Sequence, residues 1–176
     1  MISFLGKFFP IFARPASRRE ELTELLQESL DDKTSFDSHE GTLLQNFLGL
    51  RDTTAADVMV PRADIISVAI ADGFDDIIQQ MSDANHSRVP VYRDTLDDVA
   101  GIIHIKDLFA NLRNDQTPAV DSLLRPALFI SPTIRLLDLL HEMRLRRRHL
   151  ALVVDEFGGV DGLITIEDLV EEIVGE

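Results

Sequence analysis

Short runs of β-branched residues and longer runs of helical-period apolar residues take turns along this chain, in one order that occurs twice. In the first pass "ADIISVAI" has the β-rich character of a strand, and "FDDIIQQMSDAN" places Phe74, Ile77, Ile78 and Met81 on one helical face. Next come "RVPVY", a turn at "RDTLDD", the strand "VAGIIHI" and the helix "KDLFANL". In the second pass "ALFIS" reads as a strand and "TIRLLDLLHEMRLR" as a helix. It continues through "HLALVV", a hairpin turn at "DEFGG", the strand "VDGLITI" and the helix "EDLVEEIV". Ahead of both passes, Leu22, Leu25, Leu26 and Leu30 recur at helical spacing behind Ser17 as an N-cap, and "TLLQNFLGL" resumes that pattern.

The order is therefore strand, helix, strand, strand, helix, twice over. Gly101 corresponds to Gly162 and Asp107 to Asp168, both at an offset of 61. A repeat of about 60 residues is too long for a solenoid unit and too short for an independent large domain, so the two copies are expected to pack on each other with pseudo-two-fold symmetry. The fold class is α/β to α+β, with two small three-stranded sheets. The chain divides into a loose tail (1–16), a helical arm (17–53), a first repeat (54–114) and a second repeat (115–176).

Composition narrows the function. Seventeen Lys and Arg against 31 Asp and Glu give a net charge of -14, which argues against nucleic acid as the main partner. The chain has no cysteine, hence no disulfide frame, no CxxC metal site and no thiol nucleophile. The apolar run at the N-terminus is broken by Lys7 and Pro10. It falls short of the roughly 20 residues that span a bilayer, and reads as a loose tail ahead of a membrane-surface anchor. "HEMRL" and "HEGTL" end in Leu145 and Leu43 where a zinc motif needs His, and no phosphate-loop or nucleophile-elbow string occurs. Catalysis is not expected.

The repeated strand-to-helix junction is where chemistry is concentrated. In "GLITIED" the Thr165 hydroxyl and the Asp168 carboxylate stand at the spacing of a capping box, worth about 1 kcal/mol to the helix. The same geometry offers free N–H donors to a phosphate and a carboxylate to a ribose. On residues alone the cap is the stronger reading. Gly162 would let backbone approach a ligand. In the first copy His104 replaces the hydroxyl residue, followed by Lys106 and Asp107; a protonated His104 could meet a phosphate, but an ordinary structural histidine is the favoured reading there. The basic run "RLRRRH" (144–149) ends a helix, where positive charge complements the dipole. A phosphate-binding or partner-binding role is the minority reading, because successive arginines on a helix point around it and cannot all converge. The acidic end of the chain reads as a solvated face.

Taken together, the repeat and its Gly-x-x-x-x-x-Asp ending resemble a tandem pair of CBS domains. The strings "VMVPRADI", "HSRVPVY", "GIIHIKDL" and "HLALVVDEFGGVDGLITIEDLVEEIVGE" resemble the CorC/HlyC family, associated with magnesium and cobalt efflux. That family commonly carries a transmembrane domain ahead of the pair and a small domain after it, so the chain reads as one portion of such an architecture. The resemblance implies a cytoplasmic regulatory module, at the inner face of a membrane or near it, that binds an adenosine nucleotide (ATP, with Mg2+, or AMP) between the repeats. It further implies a homodimer of pairs and a membrane ion-transport partner. Thr165 and Asp168 are carried over as phosphate and ribose contacts, with Asp107 as a second ribose candidate. Val60, Val89 and Pro90 are candidates for the apolar wall, and Arg88 and Arg62 for phosphate neutralisation. The rival reading is a ligand-free dimerisation scaffold in which Thr165 and Asp168 only cap a helix.

Overall fold

A computed structural model describes residues 37–112 and 118–175. The chain divides into a unit of residues 1–44 and a unit of residues 45–176. The tail and residues 17–36 of the expected arm lie outside the described residues. The remainder of the arm contains helix α1 (Ser38–Gly49), whose first turn is held by the Asp37 N–H donating to Glu40 Oε2 at 3.1 Å.

The first repeat runs through α2 (Ala55–Val58), β1 (Val60–Pro61), β2 (Val68–Ala69), α3 (Phe74–Asp83), β3 (Arg88–Tyr92), β4 (Val99–His104) and α4 (Ile105–Asn111). The second runs through β5 (Leu128–Ile130), α5 (Leu136–Arg146), β6 (Leu150–Val154), β7 (Val160–Thr165) and α6 (Ile166–Val174). The helices form where apolar residues return every three or four positions. Phe74, Ile77 and Met81 are the buried face of α3, and Leu136, Leu139 and Met143 that of α5. Both helices are followed by a residue in the left-handed region, Asn85 (φ 55°) and Arg147 (φ 53°). Asparagine tolerates that conformation; arginine does so at a cost of about 1 kcal/mol.

In each repeat a parallel strand joins an antiparallel hairpin: β2 lies beside β3 and β3 beside β4, while β5 lies beside β6 and β6 beside β7. Only one sheet has three strands. The other has four, in the order β1-β7-β6-β5, because Val60 and Pro61 cross over to pair with Leu163 and Gly162. This corrects the expectation of two three-stranded sheets. A two-residue strand carries no periodicity, so the crossover left no mark in the hydrophobic pattern. Its counterpart is a bridge in which Arg125, on the way into the second repeat, pairs with Ile102 of β4.

Both repeat glycines exist for these crossovers. A Cβ on Gly162 would lie 2.4 Å from Met59 Sδ and 2.9 Å from the Val60 carbonyl oxygen. One on Gly101 would lie 2.8 Å from the Arg125 carbonyl oxygen. Gly162 therefore admits a neighbouring strand, where sequence alone suggested a ligand.

Each repeat encloses a core, and the entering segments are exchanged: Ala55 packs in the core of the second repeat, and Val120, Leu123 and Leu124 pack against that of the first. Val68, Ile77, Met81, Val89, Val91, Ile103 and Leu108 pack the first, and Leu128, Leu136, Leu139, Met143, Val153, Ile164 and Leu169 the second. A third cluster of Ile102, Leu150, Leu152 and Val160, drawn from β4, β6 and β7, joins them. The sheets thus meet through strand faces, and the ends of their strands border the same cleft.

Candidate functional site

The site begins where β7 hands over to α6. Thr165 is the N-cap, in extended conformation. Its N–H donates to Asp168 Oδ2 at 2.7 Å, and the Asp168 N–H donates to Thr165 Oγ1 at 3.2 Å. The expected capping box is formed. It uses one carboxylate oxygen and the hydroxyl's lone pair, leaving Asp168 Oδ1 able to accept and the Thr165 O–H able to donate. Cap and ligand contact are therefore compatible on the same two side chains.

Those free groups border a cavity of about 410 Å3 between the repeats. The second repeat supplies Thr165, Glu167, Asp168, His149, Leu150 and Leu163; the first supplies Val60, Asp64, Ile65, Ile66 and the segment Asn85–Arg88. Val60 and Leu163 are cross-strand partners in β1 and β7, so the crossover itself builds the apolar wall. Arg88, three-quarters buried at its side chain, approaches Glu167 Oε1 at 3.8 Å across the repeats. The volume falls within the range of small-molecule sites, and the lining combines an apolar wall with a few convergent polar groups.

Four of the residues singled out from sequence, Val60, Arg88, Thr165 and Asp168, line this one cavity. Three do not. Val89 is 1% exposed in the core of the first repeat, on the strand face opposite Arg88's. Pro90, also buried, pairs with Ile102 across the hairpin. Asp107 gives both carboxylate oxygens to Arg125, accepting from Nε at 2.8 Å and Nη2 at 2.9 Å. Neighbours in a strand face opposite ways, so "RVP" could not bring all its side chains to one ligand.

Arg62 is also engaged elsewhere. It holds Asp97 with both ends of its guanidinium, Nη2 to Oδ2 at 2.8 Å, and donates to the Val160 carbonyl oxygen at 2.6 Å. The Val160 N–H donates to Asp97 Oδ1 at 2.8 Å. Hydrogen bonds from Arg62 and from Val160 hold Asp97 below the usual carboxylate range. This cluster ties the hairpin turn of the first repeat to the start of β7 in the second.

What sequence reasoning missed is the Asn85–Ser87 segment, Ile65 and Ile66, and His149. The left-handed Asn85 turns the chain sharply between α3 and β3 and presents the next residues to the cleft. An Asn placed between a helix and a strand was the available signal.

A second, smaller cavity of about 160 Å3 lies against the first, sharing Arg88, His149 and Leu150 with it. Its other lining residues are Ile102, His104, Arg125, Pro126, Arg147 and Arg148. His104 occupies the position of Thr165 and caps α4 in its place, Nδ1 accepting from the Lys106 N–H at 3.0 Å. Burial, with Arg88 and Arg125 beside it, holds the imidazole below its ordinary pKa. The run "RLRRRH" does not continue as helix: α5 stops at Arg146, and the left-handed Arg147 redirects the chain so that Arg147, Arg148 and His149 border one space. The objection that successive arginines diverge applies only to a helix. Among the described residues, no group of three His, Cys, Asp or Glu is placed to hold a metal ion.

Comparison with known proteins agrees with this architecture. The sequence matches the family model of the CBS domain over residues 55–114 and again over 120–175. It is 47% identical over 137 residues to a hemolysin C of Rickettsia prowazekii and 46% identical over 137 residues to a hemolysin C homolog of Rickettsia rickettsii. These matches take in 77% of this chain but only 45% and 46% of the relatives, so the chain spans about half the length of the curated relatives it matches. Among solved structures, the CBS domain of a bacterial CNNM/CorC family Mg2+ transporter in complex with an inhibitor superposes with a TM-score of 0.83 at 32% identity, covering 90% of this chain and 98% of that one. A CBS domain of that transporter family in complex with ATP gives 0.73 at 35% identity, over 78% of this chain and 98% of that one. A CBS-domain pair with bound AMP from Klebsiella pneumoniae gives 0.61 at 30% identity, over 70% and 99%. The chain belongs to the CBS-domain family, as a tandem pair of the CorC/HlyC type.

Proposed function

We propose that this CBS pair is a regulatory module that binds an adenosine nucleotide in the 410 Å3 cavity between its repeats. The observation that carries the reading is the convergence there of Thr165 and Asp168 from one repeat with Arg88 and Val60 from the other. In this arrangement the free Asp168 oxygen accepts from the ribose hydroxyls, while the purine lies against Val60, Ile65 and Leu163. The Thr165 hydroxyl and the N-terminus of α6 face the phosphates, with the Arg88 guanidinium opposite. Complexes of similar CBS domains with ATP and AMP support the ligand class. A divalent ion would enter with the phosphates, since the described residues offer no metal cluster of their own. It would also offset the repulsion between a polyphosphate and a chain of charge -14.

Because both repeats contribute, a ligand that contacts both favours one angle between them, and shifts that equilibrium by its difference in affinity for the two states. Transmission to a membrane component for magnesium or cobalt efflux, from the cytoplasmic side and through a dimer of modules, completes the proposal. The similarity to CBS domains of Mg2+ transporters supports that step. Calorimetric titration of ATP, ADP and AMP, each with and without Mg2+, tests the ligand claim. Saturable binding near one site per chain is expected. A folded protein that gives no heat with any of the three would leave the pair a scaffold.

A further inference from the structure

The second cavity is the pseudo-symmetric mate of the first, and its chemistry has been inverted. The paired registers Arg88–His104 and Leu150–Thr165 align the two hairpins. Arg147 then stands where Asn85 stands in the other repeat, both left-handed, and Arg148 where His86 stands. On the crossover side, Arg125 pairs with Ile102 as Val60 pairs with Leu163. Three uncharged or weakly basic positions have thus become arginines, and Arg88 is shared. A carboxylate in the mate of Asp168's position, Asp107, is tied by both oxygens to Arg125.

We infer that this cavity is a site for a compact phosphate-class oxyanion and not for a nucleoside. Four arginines and two histidines border it, and no carboxylate does among the described residues. Arg125 has Asp107, Arg88 has a distant Glu167, and Arg147 and Arg148 have no anionic partner among the described residues. Arg147 is exposed and Arg148 half-buried, so water tempers their repulsion, and their guanidinium groups stay available to an anion that enters between them. In a chain of charge -14 such a spot is also the local positive focus that a small anion would find. His104, 7% exposed, spends Nδ1 on the Lys106 N–H, so its neutral form carries the proton on Nε2 and can donate it. At about 160 Å3 the space suits phosphate or pyrophosphate and lies well below the several hundred cubic ångströms of small-molecule sites. The helix dipole does not account for the cluster, because Arg144 and Arg146 already occupy the last turn of α5 and Arg147 and Arg148 come after it.

The anion could be free in solution or be the distal phosphates of a nucleotide seated next door, past Arg88. The test uses inorganic pyrophosphate, titrated calorimetrically into the wild type, Arg148→Gln, Arg147→Gly and Asp168→Asn at an ionic strength of ~0.15 M. Arg147→Gly suits the left-handed backbone, so that variant is not exposed to misfolding. Saturable binding in the wild type, weakened about tenfold or more in both arginine variants and unchanged in Asp168→Asn, is the expected result. Repeating the titration with ATP or AMP present identifies the source. Competition with ATP but not AMP assigns the site to distal phosphates, and simultaneous binding with ATP assigns it to a free anion. The inference is overturned if pyrophosphate does not saturate the wild type, or if both folded arginine variants bind it as the wild type does. Either failure leaves the nucleotide reading intact, since that reading rests on the larger cavity and is tested separately by ATP binding to Asp168→Asn.

Discussion

Adding a single methyl group at Gly162 should damage both stability and the cavity. The new Cβ of Gly162→Ala would sit 2.4 Å from Met59 Sδ, 2.7 Å from Met59 Cγ and 2.9 Å from the Val60 carbonyl oxygen. Methionine can swing aside, but the carbonyl belongs to β1, which holds its place by only two paired residues, Val60↔Leu163 and Pro61↔Gly162. Restoring an ordinary carbon–oxygen contact requires β1 to move by roughly half an ångström. Overpacking of this kind costs about 1–3 kcal/mol, and weakening the short β1–β7 pairing falls within that range. With a urea slope of about 1–3 kcal/mol/M, the unfolding midpoint should fall by roughly 1 M. Nucleotide affinity should fall as well, because Val60 and Leu163 are the displaced wall. Two other glycines calibrate the result. At Gly49 a Cβ meets nothing within 4 Å, so Gly49→Ala should be neutral or stabilise by about 0.5 kcal/mol. Gly158 is equally open but has φ +86°, so Gly158→Ala should cost about 1 kcal/mol through backbone strain alone. A Gly162→Ala midpoint within error of the Gly49→Ala one would refute the close-approach argument.

Three further outcomes are expected. His104 has a pKa held below the ordinary 6.5 chiefly by burial, so the unfolded chain takes up its proton first as pH falls. Its contribution to stability is therefore full above about pH 6.5 and is lost as pH drops through the folded value; His104→Asn keeps an N-cap acceptor and should flatten urea midpoints measured across that window. Thr165→Val removes the cap acceptor for the Asp168 N–H and should cost about 1 kcal/mol by thermal or urea unfolding, with Thr165→Ser recovering most of it. Arg62→Ala breaks the link from the Asp97 turn to Val160 and should leave nucleotide affinity within about twofold in the same titration, since Arg62 does not line the cavity.

The repeated order of elements was legible because β-branched runs and the Phe74-Ile77-Met81 and Leu136-Leu139-Met143 spacings are strong local signals. Thr165 and Asp168 could be found for the same reason, as a capping box is a local pattern. The crossover of Val60 and Pro61 was not legible, since two residues that pair with a strand about a hundred positions away leave no period. That single contact changed the strand count, reassigned Gly162 from ligand to strand neighbour, and made the apolar wall. Strand alternation separated Arg88, at the cavity, from Val89, in the core, although they are adjacent in sequence. Arg144 and Arg146 do stand in the last turn of α5, but the placement of Arg147 and Arg148 at one cavity was not legible, because it depends on where α5 stops and on a left-handed Arg147 that sequence statistics disfavour.

The measurement that bears most directly on the account is ATP binding by Asp168→Asn. Asparagine keeps an oxygen for the Thr165 N–H and so preserves the cap, but it replaces the second acceptor with a donor. If the free oxygen of Asp168 clamps a ribose, this variant stays folded, with stability within about 1 kcal/mol of the wild type for the charge lost at the helix N-terminus, and binds ATP at least tenfold more weakly, about 1.4 kcal/mol. Equal affinity for ATP in the two proteins would contradict the clamp and return Asp168 to the role of helix cap.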